Sequence, residues 1–151
     1  VREVSSRFRD TVQGRKYTTH QMGALAETAV LFRLYLHQFD VFRSAADGAK
    51  VDWVVIDPKS GRTSKVQVRC AVQRKSGLGL PIVSLLCAEG TKSGGKPTKW
   101  RRYREDELDF LIGYDLLTDM CYVWSRCEIT DYRASVSIRE DAAERWDKLS
   151  I

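Results

Sequence analysis

The sequence predicts an α/β fold in which a mixed central sheet is flanked by helices. Three observations predict it: an amphipathic helix comes early, a β-branched hairpin follows, and further strands then alternate with short helical stretches. The chain's 151 residues suit one domain over 1–151, long enough to bury a core, with a basic N-terminal arm over about residues 1–18. That arm carries Arg2, Arg7, Arg9, Arg15 and Lys16 with little apolar periodicity, and both a mobile arm and a short helix remain open.

The elements follow in order. Thr19 is the expected N-cap of a helix over His20 to Gln38, with Met22, Leu25, Ala29, Phe32 and Leu36 at helical spacing. Phe39 to Phe42 is a short strand. Lys50 to Asp57 and Ser64 to Ala71 are β-branched runs joined by Pro58-Lys-Ser-Gly61, which makes a hairpin. Leu80 to Cys87 is expected as another strand, and the glycines and lysines of Ala88 to Thr98 as a long mobile loop. Glu105 to Phe110 is expected to be a short helix. A second hairpin pairs Leu111–Leu116 with Cys121–Ser125 around Thr118-Asp119, a strand covers Ser135 to Arg139, and a helix covers Asp141 to Leu149.

Composition excludes several classes. Apolar residues make up 43% and charged residues 30%, which argues against disorder. No apolar run of ~18 residues spans a membrane, and Val1 to Arg9 is charged rather than signal-like. Cys70, Cys87, Cys121 and Cys127 form no CxxC pair and read as reduced thiols of a cytoplasmic protein. With only His20 and His37, histidine-based hydrolysis has little to work with. The net charge of +5 leans toward a polyanion.

The candidate site starts from Asp52, a carboxylate in an apolar run, which is costly there unless paired or bound to a cation. A turn at Pro58–Gly61 sets Asp52 opposite Gln67, and Gln67 shares a strand face with Arg69. Glu27 lies on the preceding helix with Gly23 one turn earlier, and glycine there lets the helix approach the sheet or a ligand closely. Two carboxylates and an amide oxygen are hard ligands suited to Mg2+ (or Mn2+), an ion that serves phosphodiester hydrolysis. The plain alternative for Asp52 is a cross-strand ion pair with Arg69. Asp57 and Asp47 are substitutes, both in turn or loop settings. Gln73-Arg-Lys75 is set aside because it lies ~20 Å of strand beyond the residue facing Asp52.

The order Gly23-x-x-x-Glu27, Asp52, Gln67-x-Arg69 resembles the PD-(D/E)XK nuclease superfamily, in particular the branch with glutamine before x-Lys that includes group I intron homing endonucleases. Glu105-x-Glu107-x-Asp109-Phe-Leu-Ile-Gly-Tyr114-Asp115 followed by Cys121-Tyr-Val-Trp124 is similar to that branch as well. The resemblance implies a restriction-endonuclease-like core and a site-specific, metal-dependent cut in both strands of DNA. A restriction enzyme or Holliday junction resolvase of the same fold is the alternative. On this reading Glu27, Asp52, Gln67 and Arg69 are catalytic, with Asp52, Glu27 and the Val68 carbonyl on the metal. Arg69 stands where the family usually has lysine, and arginine cannot deprotonate to act as a base. A natural variant, an inactivated form that only binds DNA, and relocation of the cation to Lys65 are the three explanations.

DNA contact is expected from Lys92, Lys96, Lys99, Arg101, Arg102 and Arg104, interleaved with Trp100 and Tyr103, and extended by Arg15, Lys16, Arg62 and Lys65. Two cuts need two centres, so the expected partner beside duplex DNA is a second copy, in a homodimer or homotetramer. Trp124 and Trp146 are candidates for that interface if exposed, and core residues otherwise.

Overall fold

The structure is a computed structural model and describes residues 6–43, 45, 51–91 and 97–150. The arm contains a short helix, α1 (Ser6–Val12), of the two options the sequence left open. The long helix α2 (Thr19–Leu36) is capped one residue earlier than expected, by Thr18. The Thr18 hydroxyl accepts from the Gln21 amide N–H at 3.2 Å, and Gln21 Oε1 accepts from Thr18 N–H at 2.9 Å, a reciprocal capping box.

The buried stripe of α2 is Ala26, Val30, Arg33 and Leu34 rather than the expected one, and Phe32 and Leu36 are 61% and 64% exposed. The helix is apolar nearly all round in its second half, so periodicity alone could not select the inward face. Arg33 is tolerated inside because Asp119 at 2.8 Å and Glu144 at 3.4 Å neutralise it.

Helix α2 covers one face of a five-stranded sheet ordered β1-β2-β3-β7-β8: β1 (Asp40–Phe42), β2 (Trp53–Ile56), β3 (Thr63–Cys70), β7 (Phe110–Asp115) and β8 (Met120–Ser125). Only β3 and β7 run parallel, so the sheet is mixed as expected. The first hairpin has the expected register, with Trp53 opposite Val66. Its turn is fastened by Asp57, whose carboxylate accepts from the Lys59 N–H at 3.1 Å and the Ser60 hydroxyl at 2.7 Å. On the α2 side, Val55, Val66, Val68, Ile112 and Val123 pack against Ala26, Val30, Leu34, Trp146 and Leu149. On the other side Leu111, Trp124 and Tyr122 pack under a small sheet of β4 (Ile82–Ser84) with β9 (Ser135–Ser137), and under helix α3 (Arg126–Ile129).

Four expected elements are corrected. The single strand over Leu80–Cys87 is two, because at Leu85 the chain leaves β9 and enters β5 (Leu86–Thr91). The loop over Ala88–Thr98 is largely a two-stranded ribbon of β5 with β6 (Pro97–Arg102), with Lys92 and Lys96 outside the described residues. In place of a helix at Glu105–Phe110 there is a tight turn, where Glu107 accepts from the Arg104 N–H at 2.7 Å and Asp109 from the Lys65 N–H at 2.7 Å. The final helix is two 3-10 turns, Glu140–Ala142 and Trp146–Ser150, separated at Glu144, whose φ is 52°. Trp124 and Trp146 lie in the core and are not free for an interface. No helix among the described residues is long and apolar enough to cross a membrane.

Candidate nuclease site

The site forms where the β2–β3 ladder ends. The Asp52 N–H still donates to the Val66 carbonyl at 3.1 Å, but the next partner of β3 is a side chain. Asp52 Oδ2 accepts from the Val68 N–H at 2.7 Å and from Gln67 Nε2, so the carboxylate continues the ladder where the strand stops. Gln67 is buried, and its Nε2 also lies 3.3 Å from the Val68 carbonyl. Asp52, Gln67 and Val68 are therefore brought together, as the register requires.

Glu27 reaches this point from α2. It opens into a cleft of about 480 Å³ lined by Thr19, His20, Gly23, Arg43 and Trp53. Burial raises the pKa of Asp52 from its ordinary value, against the pull of the Val68 N–H and the Arg69 charge. Burial also raises Glu27, and the negative charge of Asp52 adds to it. The two carboxylates thus repel each other in a half-buried setting, which favours a bound cation. A Cβ on Gly23 would meet nothing within 4 Å, so glycine does not serve helix-to-sheet contact; it leaves the cleft open beside Glu27.

Arg69 is held elsewhere. Its Nη2 donates to the Leu86 carbonyl at 3.2 Å and to the Tyr103 hydroxyl, with the guanidinium 5.9 Å from the Tyr103 ring centre. No ion pair joins it to Asp52 among the described residues, so the plain cross-strand pair is not what this site contains. Its charge nonetheless acts on Asp52. Lys65 does not replace it, because its ammonium is bound to the Asp106 carbonyl. Asp57 is taken up by its turn, and Asp47 lies outside the described residues.

The sequence reading missed Arg43. It follows edge strand β1, stacks over Trp53 at 5.6 Å and reaches Glu27 at 3.7 Å, where it offsets charge on both carboxylates. Only the packing of β1 beside β2 reveals it, since nothing in the spacing ties residue 43 to residues 27 and 52.

A family model for PD-(D/E)XK endonucleases matches residues 17–151. The chain belongs to the PD-(D/E)XK endonuclease family. Its fold is also that of a solved structure, the bacterial homing endonuclease I-Ssp6803I, with a TM-score of 0.72 at 20% identity over 87% of this chain and 93% of the other. No sequence among curated proteins matches it.

The residues of this PD-(D/E)XK endonuclease fit a divalent ion. The donors are hard oxygens: two carboxylates that destabilise each other, the Val68 carbonyl, and the Gln67 amide if its oxygen end is presented. Among the described residues no group of three or more His, Cys, Asp or Glu gathers at one point.

The endonuclease's basic residues divide into two kinds. Arg101 grips Glu107 with both ends of its guanidinium, at 2.7 and 2.6 Å, and Arg102 donates to the Ile129 and Thr130 carbonyls at 3.0 and 2.9 Å. These two fasten the ribbon to the body. Lys99 is exposed and pairs with Glu89 at 3.0 Å, Arg104 is exposed beside Glu107, Arg62 lies over Phe110 at 5.6 Å, and Arg15 and Lys16 are exposed after α1.

Proposed function

We propose that this endonuclease makes a site-specific cut in both strands of duplex DNA with Mg2+ or Mn2+, as an intron homing enzyme does. The observation that carries the reading is the pair of part-buried carboxylates at the open end of the β2–β3 ladder, Asp52 destabilised by burial and Glu27 by burial and by the Asp52 charge. Asp52, Glu27 and the Val68 carbonyl would hold the ion, which when bound lowers the pKa of a water and offsets charge on the scissile phosphate. Val68 N–H and Gln67 fix the Asp52 carboxylate from behind and leave its other oxygen for the ion. A guanidinium is no general base, so the role of Arg69 would be to stabilise phosphate charge rather than to remove a proton. DNA contact falls to Arg15, Lys16, Arg62, Lys92, Lys96, Lys99 and Arg104, with Lys65, Arg101 and Arg102 shaping the surface beneath.

One centre cuts one strand, so a homodimer or homotetramer would bring two centres to one target. Incubation with supercoiled and intronless target plasmids, with Mg2+ or with EDTA, tests the reading. Metal-dependent linear product from the intronless target is expected. Cutting only of four-way junctions would make it a resolvase. Arg69, tied up by Tyr103 and Leu86, favours one other reading, a DNA-binding module. Salt-dependent binding with no nick by the wild type or Arg69→Lys would establish that module instead.

A further inference from the structure

The β5–β6 ribbon is joined to the body at its base by arginines. Arg101 and Arg102 reach out from it to Glu107 and the end of α3, and Arg69 reaches toward it from β3. Only the last of these comes from the strand that carries Gln67 and Val68. Its two acceptors are the Leu86 carbonyl, where the ribbon begins, and the Tyr103 hydroxyl, one residue past its end. Both fall on Nη2. Among the described residues, Arg69 Nε is buried without a partner and no hydrogen bond occupies Nη1. The guanidinium is thus anchored through one nitrogen while its charge still acts on Asp52. A lysine's three donors radiate from one nitrogen, so anchor and phosphate would both have to lie within about 3 Å of that atom, whereas the guanidinium spreads its donors over three nitrogens.

We propose that Tyr103 is a positioning residue for cleavage: with the Leu86 carbonyl it holds Arg69 by Nη2 so that Nη1 faces the scissile phosphate beside Asp52. This rests on the nuclease reading above. The arrangement makes the ribbon base part of the cutting apparatus.

The test is a double-mutant cycle of Tyr103→Phe and Arg69→Lys, read as single-turnover cleavage of a plasmid the wild type cuts, with DNA affinity measured separately in EDTA. Removing a hydrogen bond to a charged group should slow Tyr103→Phe by about tenfold, with affinity unchanged. In the Arg69→Lys background the same change should cost less than about twofold, because the group it positions is gone. An equal loss in both backgrounds, or a loss that appears only in affinity, overturns the proposal and leaves the nuclease reading intact. A wild type that cuts no DNA under any divalent ion overturns both.

Discussion

Gly113 offers the sharpest test of how the sheet supports this site. It lies mid-strand in β7, opposite Arg69 on β3 and Tyr122 on β8. A Cβ there would sit 2.6 Å from Val83 Cγ2 and 3.1 Å from the Trp124 ring. Ordinary contact begins near 3.4 Å, so Val83, itself fully buried, would have to retreat by about 0.8 Å. Overpacking of this kind costs about 1–3 kcal/mol, which for a chain of this size lowers the Tm by roughly 2–12 °C. Thermal and denaturant unfolding of Gly113→Ala would measure it. Val83→Ala removes the offending methyl and by itself costs about 2 kcal/mol as a cavity. The double variant should therefore be more stable than the sum of the two losses by at least about 1 kcal/mol. Strict additivity would refute the argument that β4 and β7 touch through this glycine.

Three other predictions concern charge. Asp52→Asn should lower cleavage by about a hundredfold or more while sparing DNA binding. It should also raise the Tm of the metal-free protein at neutral pH. Asp52 and Glu27 both have raised pKa values, so their destabilisation is absent below the ordinary carboxylate range and grows as pH rises through the folded values. A lower Tm at pH 7 would contradict that sign. Glu107 is the opposite case: the Arg101 guanidinium holds it down at about 2, so its contribution is full above its ordinary value and is lost as pH falls toward 2. Protection factors of the amides in β5 and β6 should therefore fall across that acid window, and should already be lowered at neutral pH in Glu107→Gln; unchanged protection would remove Glu107 as the clamp. Lys99→Ala with Arg104→Ala should reduce the log–log salt slope of DNA binding by about 2, whereas an unaltered slope would mean neither touches phosphate.

What the sequence made legible is what depends on period and register. Asp52 facing Gln67 followed from the length of one turn, and the structure keeps that pairing one residue past the ladder's end. The second hairpin also formed as read. Features set by long-range packing were not legible. The inward face of α2 was chosen by the sheet and by the Asp119 and Glu144 partners of Arg33. Glu105–Phe110 has helical composition, yet Arg101 and Lys65 draw Glu107 and Asp109 into a turn. Arg43 and Tyr103 reach the site only through the tertiary placement of β1 and β6. Basic residues read as one surface separate into fasteners and exposed charges, a division that sequence spacing does not carry.

The ribbon's fastenings have a consequence for how such an enzyme acquires new targets. Two of the groups that Arg69 and Arg102 grip, the Leu86 and Ile129 carbonyls, are main chain, so they persist whatever side chain stands at those positions. The outward residues of the ribbon, among them Lys99 and Trp100, belong to neither core cluster. Drift at Lys99 and Trp100 can therefore proceed without unsettling the fold, while change at Tyr103, Arg101 or Arg102 is constrained. On the proposed DNA contact, variation at Lys99 and Trp100 would change what the enzyme meets while leaving the root of the ribbon in place.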